Sequence, residues 1–140
     1  MKCEIKWVEG AMFVGESGSG HAVVLDGPPD GGGRNLGLRP MEMLLLGMGG
    51  CTAYDVVSIL RKSRQALDDC RITLEAERAA ETPKVFTRIH VRYHFTGRGL
   101  DRKAVERAIA LSTEKYCSAT IMLGKVVDIS HDYEIIEPPA

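Results

Sequence analysis

The 140-residue chain has almost no surplus of charge: 18 Lys and Arg against 19 Asp and Glu leave a formal net charge of −1 at pH 7. That balance removes the electrostatic footprint of a protein that grips nucleic acid or an anionic membrane surface. No secretory leader is expected, because Met1-Lys2-Cys3-Glu4 opens into an alternating charged stretch instead of an apolar block. The four cysteines, Cys3, Cys51, Cys70 and Cys117, include no C-x-x-C pair, so spacing supports no metal centre, and nothing calls for a cofactor. His90 and His94 fall on the wet face of an expected strand, with no cysteine near in sequence, and read as surface side chains. A G-x-S-x-G elbow is missing, which leaves a Ser-His-Asp hydrolase without support. The run Gly27-Pro28-Pro29-Asp30-Gly31-Gly32-Gly33-Arg34 lacks the Lys-Ser/Thr and the strand–loop–helix spacing of a phosphate cradle. Its prolines and glycines predict a flexible arm or linker instead. There are no internal repeats.

What remains is an ordinary globular composition, 44% hydrophobic and 26% charged. The length suits one domain, residues 1–140, able to bury a core without staples. The expected address is the cytoplasm, where cysteines serve as reduced thiols, metal ligands or redox-active groups rather than structural cross-links.

The most unusual stretch is Pro40 to Arg61, PMEMLLLGMGGCTAYDVVSILR, apolar on almost every side and close to membrane-spanning length. Glu42, Asp55 and three glycines argue for a buried helix of a soluble protein with Pro40 in its first turn. Three glycines inside a helix cost roughly 1 kcal/mol each relative to alanine, a cost tolerated where another backbone approaches closely. Cys51 follows these glycines directly. It reads either as a small core side chain or as a positioned thiol.

Around this helix the pattern alternates between strands and helices. Lys2 to Val8, Met12 to Val14 and His21 to Leu25 predict a three-stranded meander. After an Asp68-Asp69 turn, Cys70 to Glu77 alternates as a strand with one wet face, making Cys70 core filler. The next strand sets Ile89, Val91, Tyr93 and Phe95 against Arg88, His90, Arg92 and His94, which completes a hairpin. A second helix starts with Asp101 as cap and Leu100 as staple, and buries Val105, Ala108, Ile109 and Ser112. It ends near Tyr116, so Cys117-Ser118 lies at a joint, with Ser118 placed to cap the short helical turn up to Gly124. The alternating run Val126 to Ile136 closes the chain as a last strand. This order is α+β rather than doubly wound, because neighbouring strands pair as hairpins.

Two cysteines at helix features suggest thiol redox chemistry. A thiolate attacks a peroxide O–O bond far better than a thiol does, and its site must supply positive charge or a helix N-terminus. The resulting sulfenic acid then needs a second thiol before it oxidises further. Cys51 has no cation adjacent in sequence; Arg34 and Arg39 precede its helix and are the candidates. Periodicity alone leaves open whether Cys51 and Cys117 meet.

The segments LRPMEMLLLGMGGCTAYDVVSILRK and ERAIALSTEKYCSATIML together resemble the OsmC/Ohr family of thiol-dependent peroxidases, in its OsmC-like branch, over essentially the whole chain. The resemblance implies an α+β fold: an N-terminal three-strand meander, a long buried central helix, a β-hairpin, a second helix plus a short helix, and a final strand. It further implies an intertwined homodimer with active sites at the subunit interface. Cys51 takes the place of the peroxidatic cysteine and Cys117 that of the resolving cysteine. The family stabilises its thiolate with an arginine held by a glutamate directly after the helix-opening proline. Met41 occupies that position here and Glu42 follows it, so Arg34, Arg39 and Glu42 are the candidates for that role. The implied function is reduction of organic hydroperoxides through a Cys51–Cys117 pair in oxidative-stress defence, with a small-molecule hydroperoxide as substrate and an external dithiol as reductant. Leu45, Met48, Tyr54 and Met122 would line an apolar pocket for it. The alternative is a non-enzymatic module of the same fold that binds a small apolar ligand or senses redox state. A different enzyme using Cys51 as an acyl- or sulfur-carrying nucleophile would need a base, and no histidine lies close in sequence to either cysteine.

Overall fold

The computed structural model describes residues 1–139, in two compact units, Met1–Leu45 and the chain from Leu46 onward. In the first, strands β1 (Cys3–Glu9), β2 (Met12–Ser17) and β3 (Ala22–Leu25) form an antiparallel sheet in the order β1-β2-β3. This is the expected meander. The segment after it departs from expectation, because Asp26 ties it down instead of leaving it a flexible arm. The Asp26 carboxylate accepts backbone N–H bonds from Gly27 (2.7 Å), Arg34 (3.1 Å) and Leu36 (3.1 Å). Gly33 passes so close to Gly27 that a Cβ there would lie 2.0 Å from the Gly27 carbonyl oxygen. Composition marked the loop correctly; it did not reveal that one carboxylate gathers both ends of it.

Helix α1 (Pro40–Lys62) begins with Pro40 in its first turn. Glu42 Oε2 accepts the Arg39 backbone N–H at 2.8 Å, the N3 half of a capping box. Within the second unit α1 buries a single stripe, Met48, Gly49, Thr52, Val56 and Leu60, at helical spacing. Leu46, Gly50 and Tyr54 lie on another stripe that is exposed. The expectation of a helix buried all round therefore does not hold within one chain. The glycines divide in the same way. A Cβ on Gly49 would meet Leu74 at 2.7 Å, whereas Gly47 and Gly50 face open space. Among the described residues α1 is the one helix long and apolar enough to cross a membrane.

The second sheet has the order β4-β5-β6, from β4 (Leu67–Arg78), β5 (Phe86–Gly97) and β6 (Asp128–Ile136). Asp68 and Asp69 belong to β4 rather than to a turn; the chain reverses instead at Arg64, which takes φ 57°. β4 and β5 pair antiparallel as predicted, while β6 returns parallel to β5 after a helical crossover. The inner face of β5 carries Ile89, Val91, Tyr93 and Phe95, all almost fully buried. The Tyr93 and Phe95 rings stack 5.9 Å apart. On the outer face Arg88 and Arg92 face Asp128, Asp132 and Glu134 of β6 as exposed ion pairs worth little each, and His90 Nε2 lies 3.5 Å from Asp132 Oδ2.

Helix α2 (Arg102–Leu111) is capped by Asp101, which accepts from the Lys103 and Ala104 N–H groups, and Val105, Ala108 and Ile109 pack inward as the pattern required. The coil then widens to a π turn over Ser112–Tyr116, closed by Cys117 N–H to Ser112 C=O at 2.8 Å. Helix α3 (Ser118–Leu123) follows.

Two outcomes are expected. Leu60→Ala, emptying a fully buried position, should lower unfolding stability by about 2–5 kcal/mol in urea denaturation. The N–H bonds, led by that from Leu36, hold the Asp26 carboxyl below its ordinary value of 3.8. The stability it contributes is therefore present above that value and lost as pH falls through the lower folded one. Amide exchange at Arg34 and Leu36 should be faster in Asp26→Ala at neutral pH than in the unchanged protein.

Candidate active site: a paired-thiol centre

Cys51 lies mid-way along α1, one residue before the inward-facing Thr52, and is half-buried. Cys117 lies between the π turn and α3 and has 0% exposure. The fold brings them together: Cys51, Asp55 and Cys117 each place a side-chain donor atom within 4.8 Å of the other two. Asp55 reaches the sulfurs because it stands one helical turn beyond Cys51.

Cys117 is itself the N-cap of α3, not Ser118. Its Sγ accepts the Thr120 N–H at 3.4 Å and the Thr120 hydroxyl at 3.0 Å. Burial pushes its thiol pKa up, and the two bonds from Thr120 partly oppose the rise. Cys117 is accordingly a protonated thiol near neutrality, suited to receive an oxidised partner rather than to attack peroxide first. Cys70 is half-buried with a pKa pushed up to about 11, by desolvation first and Asp69 second, which agrees with its reading as inert filler.

Behind the sulfurs runs a row of hydroxyls. Thr52 Oγ1 lies 2.8 Å from Tyr93 Oη and 2.9 Å from Ser112 Oγ, and Ser112 donates to Asp55 Oδ2 at 3.0 Å. Thr52 and Ser112 have 0% exposure, and each makes its bonds within the row. Sequence reasoning did not assign a role to Asp55, Thr52, Ser112 or Thr120. One signal was available: past its first turn, Asp55 is the single acidic residue of an otherwise apolar helix.

The remaining site candidates are engaged within their own unit. Arg34 pairs with Glu9, and Arg39 donates to the Asp26 and Gly37 carbonyls at 3.1 Å each and to Asn35 Oδ1 at 2.8 Å. Glu42 caps α1. Of the residues expected to line an apolar pocket, Met48 is core, while Tyr54 and Met122 are 78% and 69% exposed. The two sulfurs and the Asp55 oxygen would suit a thiophilic cation such as zinc only as an incomplete, three-donor set.

A family model described as OsmC-like protein matches residues 31–132. The chain belongs to the OsmC-like family. YhfA of Escherichia coli K12 is 49% identical over 139 residues, covering 97% of this chain and 98% of that protein. Among solved structures, a hypothetical protein from Aquifex aeolicus VF5 is 31% identical with a TM-score of 0.86, over 99% of this chain and 97% of that one. An organic hydroperoxide resistance protein OsmC from Legionella pneumophila, also described as a predicted redox protein, is 21% identical with a TM-score of 0.69. Its coverage is 96% of this chain and 97% of that one, and at that identity it speaks for the OsmC fold alone.

Thr120→Val should raise the Cys117 thiol pKa further, by deleting the hydroxyl bond that favours the thiolate. Ultraviolet thiolate titration with Cys3, Cys51 and Cys70 replaced by serine reads this directly; an unchanged titration would remove Thr120 from the account.

Proposed function

We propose that this OsmC-like protein reduces organic hydroperoxides in the cytoplasm as a homodimer with its active sites at the subunit interface. The single observation that carries the reading is the closeness of the Cys51 and Cys117 sulfurs, together with the burial of Cys117. The Cys51 thiolate attacks one peroxide oxygen. An S–O bond forms, the O–O bond breaks, and the alkoxide takes up a proton and leaves as alcohol. The Cys117 sulfur then displaces the hydroxyl from the Cys51 sulfenic acid, giving a disulfide and water. An external dithiol returns two electrons by thiol–disulfide exchange and is itself oxidised.

The exposed α1 stripe supports the dimer. Leu46 is 55% and Tyr54 78% exposed, and between them Gly47 and Gly50 leave a surface low enough for a second helix to lie close.

Titration of the reduced protein with an organic hydroperoxide should lower its mass by two hydrogens and link Cys51 to Cys117 in a peptide map. Cys117→Ser should instead accumulate sulfenic and then sulfinic acid at Cys51. A protein that stays reduced would sink the peroxidase reading and favour the ligand-binding module. Leu46→Glu should shift the protein toward monomer in light scattering, with loss of turnover.

A further inference from the structure

The hydroxyl row behind the sulfurs has a direction. An ionised carboxylate only accepts, so Ser112 donates its proton to Asp55 Oδ2. Ser112 Oγ must then accept from Thr52, whose own proton is thereby used, and Thr52 Oγ1 accepts from Tyr93. All three hydroxyl protons point toward Asp55, and each bond polarises the next. The row fixes one carboxylate oxygen and settles charge on Asp55. It leaves the other oxygen without a donor from the row, on a residue whose donor atom lies within 4.8 Å of both sulfurs.

A carboxylate is an unhelpful neighbour for a thiolate, since like charges oppose each other. Its position makes sense for a different step. When Cys117 attacks the Cys51 sulfenic acid, its thiol must lose a proton, and the hydroxide leaving Cys51 must gain one. Cys117 has 0% exposure, so bulk water does not reach the sulfur to carry that proton. Asp55 is the one titratable oxygen acid that the cluster places beside both ends of the transfer.

We propose that Asp55 is the proton shuttle of the resolving step: it takes the proton from Cys117 Sγ as the S–S bond forms and hands it to the hydroxyl leaving Cys51 Sγ as the S–O bond breaks. Carboxylate is regenerated, one water is released, and no further reactant is consumed. Tyr93, Thr52 and Ser112 are positioning residues that hold the carboxylate in this orientation. The proposal rests on the thiol-peroxidase reading, and burial of Cys117, which favours its protonated form, is the reason the step needs a base.

The test separates the two steps in the full-length protein. Reduced wild type, Asp55→Asn and Ser112→Ala are mixed with cumene hydroperoxide. Sulfenic acid is scored by trapping with a cyclic 1,3-diketone, and disulfide by peptide mass. Asp55→Asn should form sulfenic acid at least as fast as wild type but close the disulfide about 100-fold more slowly, the usual scale of general acid–base catalysis. With excess peroxide it should drift to sulfinic acid at Cys51. Ser112→Ala, which keeps the carboxylate and frees its orientation, should fall between the two, and Asp55→Glu should recover part of the closing rate. A merely structural Asp55 would slow both steps or neither. Disulfide closure at the wild-type rate in Asp55→Asn overturns the shuttle and leaves the peroxidase reading standing. Wild-type protein that forms neither sulfenic acid nor a Cys51–Cys117 disulfide overturns both.

Discussion

One oxygen atom, Thr52 Oγ1, connects the three elements on which the site depends. It bonds Tyr93 of β5 and Ser112 at the start of the π turn, and it sits on α1 beside Cys51. A buried hydroxyl is tolerated only when its bonds are made, and each unmade partner costs about 1–3 kcal/mol. The three chain segments are thus locked in one mutual arrangement, because sliding any of them would strand polar atoms in the core. Apolar packing alone would not impose that register, since it is satisfied by many nearby arrangements. No described buried side-chain nitrogen or oxygen lacks a partner.

Within that frame the cysteines are sorted by environment rather than by kind. Cys70 is desolvated next to an acidic neighbour, and its thiol is held well outside the physiological range. Cys3 is exposed on an edge strand, with no second thiol among its strand partners. Cys51 and Cys117 alone share a neighbourhood, one half-open and one closed. That asymmetry suits the two-thiol reaction proposed above, in which the accessible sulfur would meet the oxidant first.

Most of the fold could be read from the sequence. Period-two alternation located the strands, and the inward stripe Val105, Ala108, Ile109 with the Asp101 cap located α2. The parallel return of β6 was not legible, because alternation gives the faces of a strand and says nothing about its direction. The π turn was hidden too: Ser112 to Tyr116 carries no marker residue, and the widening depends on the bond from Cys117 back to Ser112. At the site, family likeness pointed to both cysteines, whereas Asp55 and the hydroxyl row escaped. Threonine, serine and tyrosine are ordinary at helix and strand positions, and only the fold shows that three of them touch. Arg39 and Glu42 stood among the candidates for holding the thiolate, yet the turn chemistry that joins them, a side chain reaching back to the Arg39 amide, was legible only in three dimensions.

The dual duty of Cys117 has a practical corollary. As the residue that starts α3 it supplies the acceptor for Thr120, so any replacement there edits a helix terminus as well as a thiol. Serine keeps an acceptor at that position, while alanine offers none, a gap of about 1 kcal/mol by the usual cost of deleting a cap. Two variants equally incapable of sulfur chemistry are therefore unequal as proteins. The serine form isolates the loss of the thiol, and the alanine form mixes it with a frayed helix.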